Sequence, residues 1–533
     1  MPVVATAHAA SAAARASQAI RAAMAALLVL ALSGGVAPRA CALDQDEARH
    51  LLARTGFAPT PDEIAPLLPL TREQAVDHLL AGARTTSLVA PPPWCLETLA
   101  EHASVRALEN QQWGELSEEE RRARYQQREK RDRDRGVELK AWWYQEMIST
   151  DSPLTERMVL FWHNHFTSAL ATVGDPLLMY EQNRLLRANA LGNFGSLLAA
   201  MPEDPAMFIY LDSNSNVQDR PNENFAREVM ELFTVGEGYY SEQDIKEAAR
   251  CLSGYKIDDA TGRPALTERY HDPGRKSVLG SDGVFDADAV MALLLQKQER
   301  VAIHIAEKVW QEFIAEDLSP PATQQAIYQL AAAFYHANYD LTVLLRTALL
   351  EPDFWALPNR GSLVRSPVEL LVGTVRQLDL PVPDALTLVG MGRQLGEDVL
   401  DPPNVKGWKG GSAWISTQSL LARRQVLSAI ASGGLGAIHD RATRTAAASD
   451  SAPPPMDAAP AATDAMQSAA PRSAGPIADH GAWLEPLRAR ADGGVAILAV
   501  VLLPLPPVQA LPTTLPFAQA VKAVLLDPTY NLK

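Results

Sequence analysis

The chain has 533 residues, of which 47% are hydrophobic and 21% charged, and its net charge is −15. That length can bury a large core, in one big domain or two intimate ones. The negative balance argues against a nucleic-acid binder, which needs a basic face, and disfavours polyanionic partners in general.

The first 42 residues hold Arg15, Arg21 and Arg39 but no acidic residue, and an apolar run from Ala22 to Leu32 follows Arg21. Ala40-Cys41-Ala42 then offers a small-x-small cleavage site. This is the layout of a secretory signal peptide over 1–42, with an apolar run too short to span a bilayer. The expected location is periplasmic or secreted. No later apolar run of about 18 residues supplies a membrane anchor. Cys95 and Cys251 would remain after cleavage; they allow one disulfide and cannot make a cysteine-ligated zinc site.

Helical punctuation dominates the rest. Ser117-Glu118-Glu119-Glu120 is a capping box that opens a charged helix toward Tyr144, with i,i+4 pairs Glu118/Arg122, Glu120/Arg124 and Glu129/Arg133. It reads as a solvated face entering the core at Trp142 and Trp143. Ser152-Pro153 starts the helix that carries FWHNHF (Phe161–Phe166), and Asp175-Pro176 starts another that Gly192 ends. Asp204-Pro205 opens a short helix to Leu211, Pro221 one that Gly236 stops, and Ser241 caps one ending near Gly254. Only Tyr255–Gly280 looks β-like, as a hairpin around Asp258–Arg263. Helices resume over Asp286–Leu350 and Pro367–Leu378, and Asp401–Gly411 (DPPNVKGWKGG) reads as an ordered surface loop. Residues 431–482, most clearly from Asp440, are Ala/Pro/Ser-rich and read as a disordered insertion. Residues 483–533 return to the main domain, with Val495–Leu505 as a buried strand or core segment. The predicted fold is mainly α, a large multi-helix domain over 43–430 with a small β-hairpin.

Candidate chemistry concentrates between Glu156 and Gly238. Asp212, Asn214, Asn216 and Glu223 fall at positions 1, 3, 5 and 12 of a loop flanked by helices, the spacing with which EF-hands wrap calcium in oxygen. Val217 stands where such loops need glycine, and Arg220 occupies position 9. A loop of Asx turns, with Glu223 capping the next helix, is the alternative. His163 and His165 are two residues apart, about 200° on a regular helix, so they cannot share one metal. One is expected at a site and the other hydrogen-bonded in the core.

Glu228 and Glu231, at i,i+3, can act as metal ligands or as an acid/base pair; ion pairing with Arg184, Arg187 or Arg250 is the bland alternative. His271-Asp272 before Pro273-Gly274 can orient a base or ligate a metal, and is also good turn chemistry. Lys406, Trp408 and Trp414 can wall a sugar or another ring, and Trp408 can equally plug the core. There is no HExxH, no GxSxG, no phosphate-binding glycine loop and no CxxCH. A serine hydrolase, a nucleotide enzyme and covalent haem are therefore not expected.

Taken together, ERMVLFWHNHF, LLRANALGNFGSLL, DPAMFIYLD, PNENFAREVMELFTVGEGY, DIKEAARCLSGY, HDPGRKSVLG and DPPNVKGWKGGSAWIS resemble one exported bacterial family, domain of unknown function 1800. The resemblance runs from about Ala48 to Arg424 and resumes over Val521–Leu532. It implies a largely helical, secreted or periplasmic protein without an established activity. It also implies a partner, an exported protein similar to alkaline phosphatases and sulfatases.

The expectation is a metal-dependent extracytoplasmic enzyme, a hydrolase. Asp212, Asn214, Asn216 and Glu223 would hold calcium or another divalent metal. His163 or His165 would do acid/base work with Glu228 or Glu231, close to His271 and Asp272. The rival is a non-catalytic ligand-binding or assembly protein that uses the same polar network for rigidity.

Overall fold

Short polar caps and first-turn prolines start the helices, because each satisfies or removes one of the amide donors that a helix N-terminus leaves unpaired. Capping boxes stand at Thr98, Ser117, Ser241 and Ser366, each worth about 1 kcal/mol. The computed structural model describes residues 41–382, 384–432, 482–490 and 492–533. The leader 1–42, apart from its last two residues, and nearly all of the 431–482 insertion lie outside the described residues. Leu43–Lys533 cluster as one unit, and their apolar helix faces merge into a single hydrophobic core.

The fold is mainly α, as predicted. The described β-structure is two small antiparallel hairpins. Tyr255–Ile257 pairs with Pro264–Leu266 around the expected turn, and Lys276–Val278 pairs with Ser281–Gly283 just beyond it. Among the described residues no helix is long and apolar enough to cross a membrane.

The charged helix runs Glu118–Ser149, roughly 48 Å at 1.5 Å per residue. Its outer half is solvated and carries Glu118–Arg122 and Glu129–Arg133 pairs at 3.7 and 2.8 Å, worth only a few tenths of a kcal/mol each. Glu120 closes the capping box on Ser117, and Arg124 reaches Gln112 instead. Leu139, Trp142, Trp143 and Met147 bury the inner half. Cys95 and Cys251 are both buried free thiols.

Two expectations change. Of the two readings of Val495–Leu505 the core segment holds and the strand does not: Val495–Leu502 is a helix, with Val495, Leu498, Val501 and Leu502 buried at helical spacing, and it packs on Phe517–Leu525. Its valine-rich run suits a strand, but tertiary packing decides. The helix expected from Pro221 begins at Asn224, because the Asn222 side chain accepts the Asn224 N–H in an Asx turn. After Glu228 it widens into a π-turn over Val229–Thr234.

Candidate functional site

The FWHNHF helix, Pro153–His165, is anchored at its start by a buried ion pair. Glu156 takes Arg187 Nε at 2.6 Å and Nη2 at 2.9 Å, and also the Trp143 indole N–H at 2.9 Å; Arg187 in turn donates to Asn183. Every charge is met by a partner, the condition under which such a pair survives burial. Arg187 is thus committed to Glu156, Arg184 to Glu181, and Arg250 to Glu247 and Asp272. None of the three arginines pairs with Glu228 or Glu231.

Both histidines of the motif are buried, facing apart as their spacing dictates. His163 packs edge-on against Trp143 at 5.5 Å and near Trp408 at 5.9 Å, and its Nε2 has no hydrogen-bond partner. Burial, with Lys140 nearby, lowers its pKa to about 4. His165 Nε2 meets the Phe233 carbonyl at 3.2 Å, while His304 Nε2 meets the Leu232 carbonyl at 3.0 Å. These carbonyls belong to the π-turn, whose wider ladder leaves them for side-chain donors. Among the described residues no hydrogen bond or ion pair joins His163 or His165 to Glu228 or Glu231.

Glu231 accepts from the Tyr240 hydroxyl at 3.0 Å and from Lys406 at 3.3 Å. Half-buried Glu228 has its carboxyl raised by burial and by the neighbouring Glu231 charge. The two therefore share a face, with Lys406 reaching over from the DPPNVKGWKGG loop.

The 212–223 loop is knitted to itself. Asp212, in the left-handed region at φ 53°, accepts from Ser215 Oγ at 2.7 Å and Asn222 Nδ2 at 3.1 Å. Asn216 is buried; it accepts the Asn222 N–H and donates to the Ala249 carbonyl. The Asn214 carbonyl receives Lys256. Glu223 pairs with Arg227 at 2.9 Å and not with the loop oxygens. Further on, His271 Nδ1 lies 2.8 Å from the Ser253 carbonyl, whereas Asp272 turns to Arg250 Nε at 2.7 Å and to the Gly274 N–H. These neighbours in sequence thus have separate partners, and Arg250 holds the Asp272 carboxyl below its ordinary value. Among the described residues no three His, Cys, Asp or Glu side chains converge as a metal-holding group.

Of the expected ring wall, Trp408 and Trp414 border a cleft whose carboxylate side the sequence did not indicate, while Lys406 turns to Glu231 instead. The cleft has a volume of about 80 Å³ behind an open mouth, and is lined by Arg157, Leu160, Phe161 and Asn164 of the FWHNHF helix and by Trp408, Gly410, Gly411 and Trp414. Glu312, Ser366, Glu369 and Glu397 complete its polar side. The loop is pinned along its length: Lys140 takes Asp398 and Asp401 at 2.6 Å each, Asn164 holds Trp408, and Glu316 accepts from Ser412 N and Oγ. Gly411, at φ 53°, passes so close to the Glu316 carboxylate that a Cβ would lie 2.7 Å away. Trp408 is 8% exposed, so it both fills the core and borders the cleft.

Glu369 and Glu397 cap the same helix, Pro367–Leu378. Glu369 accepts the Ser366 N–H at 2.6 Å and Glu397 the Val368 N–H at 2.8 Å. Burial acts upward on both carboxyls, with opposite outcomes. At Glu369 it is outweighed by Arg157 and Lys533, each 2.5 Å away, which hold the carboxyl below its ordinary value. At Glu397 burial wins over the Val368 and Ser366 hydrogen bonds and pushes the pKa up to about 7. Two carboxylates on one cleft wall are thus driven apart in proton affinity, the pattern of acid/base pairs. The signal for Glu369 was its capping box with Ser366, which by itself reads as helix punctuation. Glu397 carries no signal of its own in the chain.

A family model described as "Protein of unknown function (DUF1800)" matches residues 50–532. No curated protein and no solved structure matches the chain.

Proposed function

The chain belongs to the DUF1800 family, and from the geometry of its cleft we propose that it is an extracytoplasmic acid–base hydrolase. The observation that carries this reading is the pair Glu369 and Glu397, which line one open cleft with opposed proton affinities. Glu397 gives its proton to the leaving oxygen. The hydroxyl of a water bonds to the atom that oxygen leaves, carbon in an ester or glycoside and phosphorus or sulfur in a phosphate or sulfate, and the water's remaining proton returns to Glu397. Glu369, kept ionised by Arg157 and Lys533, holds no proton and leaves the transfer to Glu397 alone. The leader sequence supports action outside the cytoplasm.

The test is release of phenol, a leaving group basic enough to need the proton, from a panel of phenyl esters, phosphates, sulfates and glycosides. Turnover of at least one is expected, falling about a hundredfold or more in Glu397→Gln. No turnover of any, or undiminished turnover by the variant, would sink the proposal.

A second reading, assembly with an exported phosphatase- or sulfatase-like partner, is favoured by the helical pair Leu99–Trp113 and Glu118–Ser149. It exposes Leu108 and Tyr125 at 58% and 55%. Co-purification lost in Leu108→Ser/Tyr125→Ser, with turnover intact, is its signature.

A further inference from the structure

Resting on that reading, we infer that the cleft takes a neutral saccharide, with Trp414 as a platform for one of its rings. Three features of the cleft point there.

The first is charge. Both cations that line the cleft are already committed: Arg157 bridges Glu312 and Glu369, and Lys533 lies 2.5 Å from Glu369 and 3.5 Å from Glu312. A phosphate, sulfate or uronate would have to strip a buried partner from Arg157, which is 4% exposed along its side chain. Breaking such a pair is costly. A cationic ligand meets the same obstacle from the carboxylates.

The second is the pairing of aromatic and polar walls. Trp408 and half-buried Trp414, from the loop, line the same cleft as the carboxylates. An indole face is electron-rich and apolar, and suits the weakly positive C–H face of a sugar ring. Sugar hydroxyls both donate and accept, so they can use carboxylates and Gln311 without carrying charge.

The third is rigidity. The loop bearing both tryptophans is fastened by Asn164 on one side and Glu316 on the other. The platform is therefore set before a ligand arrives, which reduces the ordering cost of weak stacking contacts.

Isothermal titration of the purified full chain with cellohexaose, laminarihexaose, maltohexaose and xylohexaose, beside a polygalacturonate oligomer, tests the inference. At least one neutral hexaose should bind and the polygalacturonate oligomer should bind more weakly. Trp414→Ala should weaken binding roughly tenfold or more with an unchanged melting curve, and Trp414→Phe should restore most of it. No binding of any neutral hexaose, stronger binding of the acidic oligomer, or indifference to Trp414→Ala overturns the inference. The two readings fail separately. A saccharide bound by wild type but never cut leaves this inference standing and removes the hydrolase. A non-sugar substrate cut without saccharide binding does the reverse.

Discussion

The carboxamide of Asn164 grips the Trp408 peptide on both sides: Nδ2 donates to its carbonyl at 3.1 Å, and Oδ1 accepts its N–H at 2.7 Å. A side chain here does what a neighbouring strand would do, and ties the FWHNHF helix to the loop that walls the cleft. Gly407, at φ 71°, makes room for it, since a Cβ there would sit 2.1 Å from Asn164 Oδ1.

Asn164→Ala should therefore cost about 1–3 kcal/mol, because two peptide groups lose partners. Urea denaturation reads the stability. Hydrogen exchange should show the 404–411 amides opening faster while those of the Glu118–Ser149 helix stay protected. Uniform loss of protection across both would mean that Asn164 serves the whole core and not the loop.

The Glu156–Arg187 pair allows a sharper separation. Glu156→Leu or Arg187→Met should each destabilise by about 3–5 kcal/mol, since each leaves a buried charge alone. Glu156→Leu/Arg187→Met together should recover much of that loss. A double-mutant cycle with simply additive effects would show that the pair is not coupled.

Glu397 sets a pH dependence. Its pKa rises from 4.5 to about 7 on folding, so the folded state holds the proton more tightly than the unfolded chain. Stability from this group is intact below about 4.5 and is lost as pH rises toward 7, by roughly 3 kcal/mol in total. Relative to wild type, Glu397→Gln should thus gain stability across that window and level off above it. Melting temperatures of both proteins from pH 4 to 8 measure this; parallel curves would contradict it.

His163 works in the opposite direction. Its pKa falls from 6.5 to about 4, so the unfolded chain binds the proton first and stability falls as pH drops through that range, by roughly 3 kcal/mol. With its Nε2 unpartnered against Trp143, His163→Phe should be within about 1 kcal/mol of wild type at pH 7 and less acid-labile at pH 4.5. Acid unfolding midpoints decide the matter.

The 212–223 loop is held by its own hydrogen bonds, so Asn222→Ala, which removes donors to Asp212 and Ser215, should cost about 1–2 kcal/mol. Treatment with EDTA should leave the melting midpoint of the wild type unchanged. Elemental analysis beside it reads the ion directly. One calcium per chain, lost together with stability, would assign the loop to that ion; a transition metal would move attention to Glu228 and Glu231.

Much of the scaffold was legible because helix starts are local chemistry: Ser117, Pro153, Asp175, Asp204 and Pro367 all mark termini that exist. The polar motifs were legible too, and FWHNHF and WKGG do meet. The pairings were not. Arg157, Glu369 and Glu397 come from three separate stretches, and each alone reads as an ordinary helix charge or cap. Glu156 and Arg187 find each other across 31 residues, a distance at which spacing rules say nothing. The widening at Val229–Thr234 left no mark either, because VMELFT suits a regular helix. What holds it open are His165, His304 and Arg300, donating to Phe233, Leu232 and Val235 from elsewhere in the chain.

That widening resembles a one-residue insertion retained within a helix. Each extra residue advances the helical phase by about 100°, so the chain leaves the turn pointing in a different direction from the one it would otherwise take. Deleting a single residue from 229–234 would give a smoother helix, locally the better folded segment. It would also swing everything downstream out of phase, unseating Tyr240 from Glu231 and stranding two imidazoles. In this segment local regularity and correct orientation are alternatives, and the fold has kept orientation.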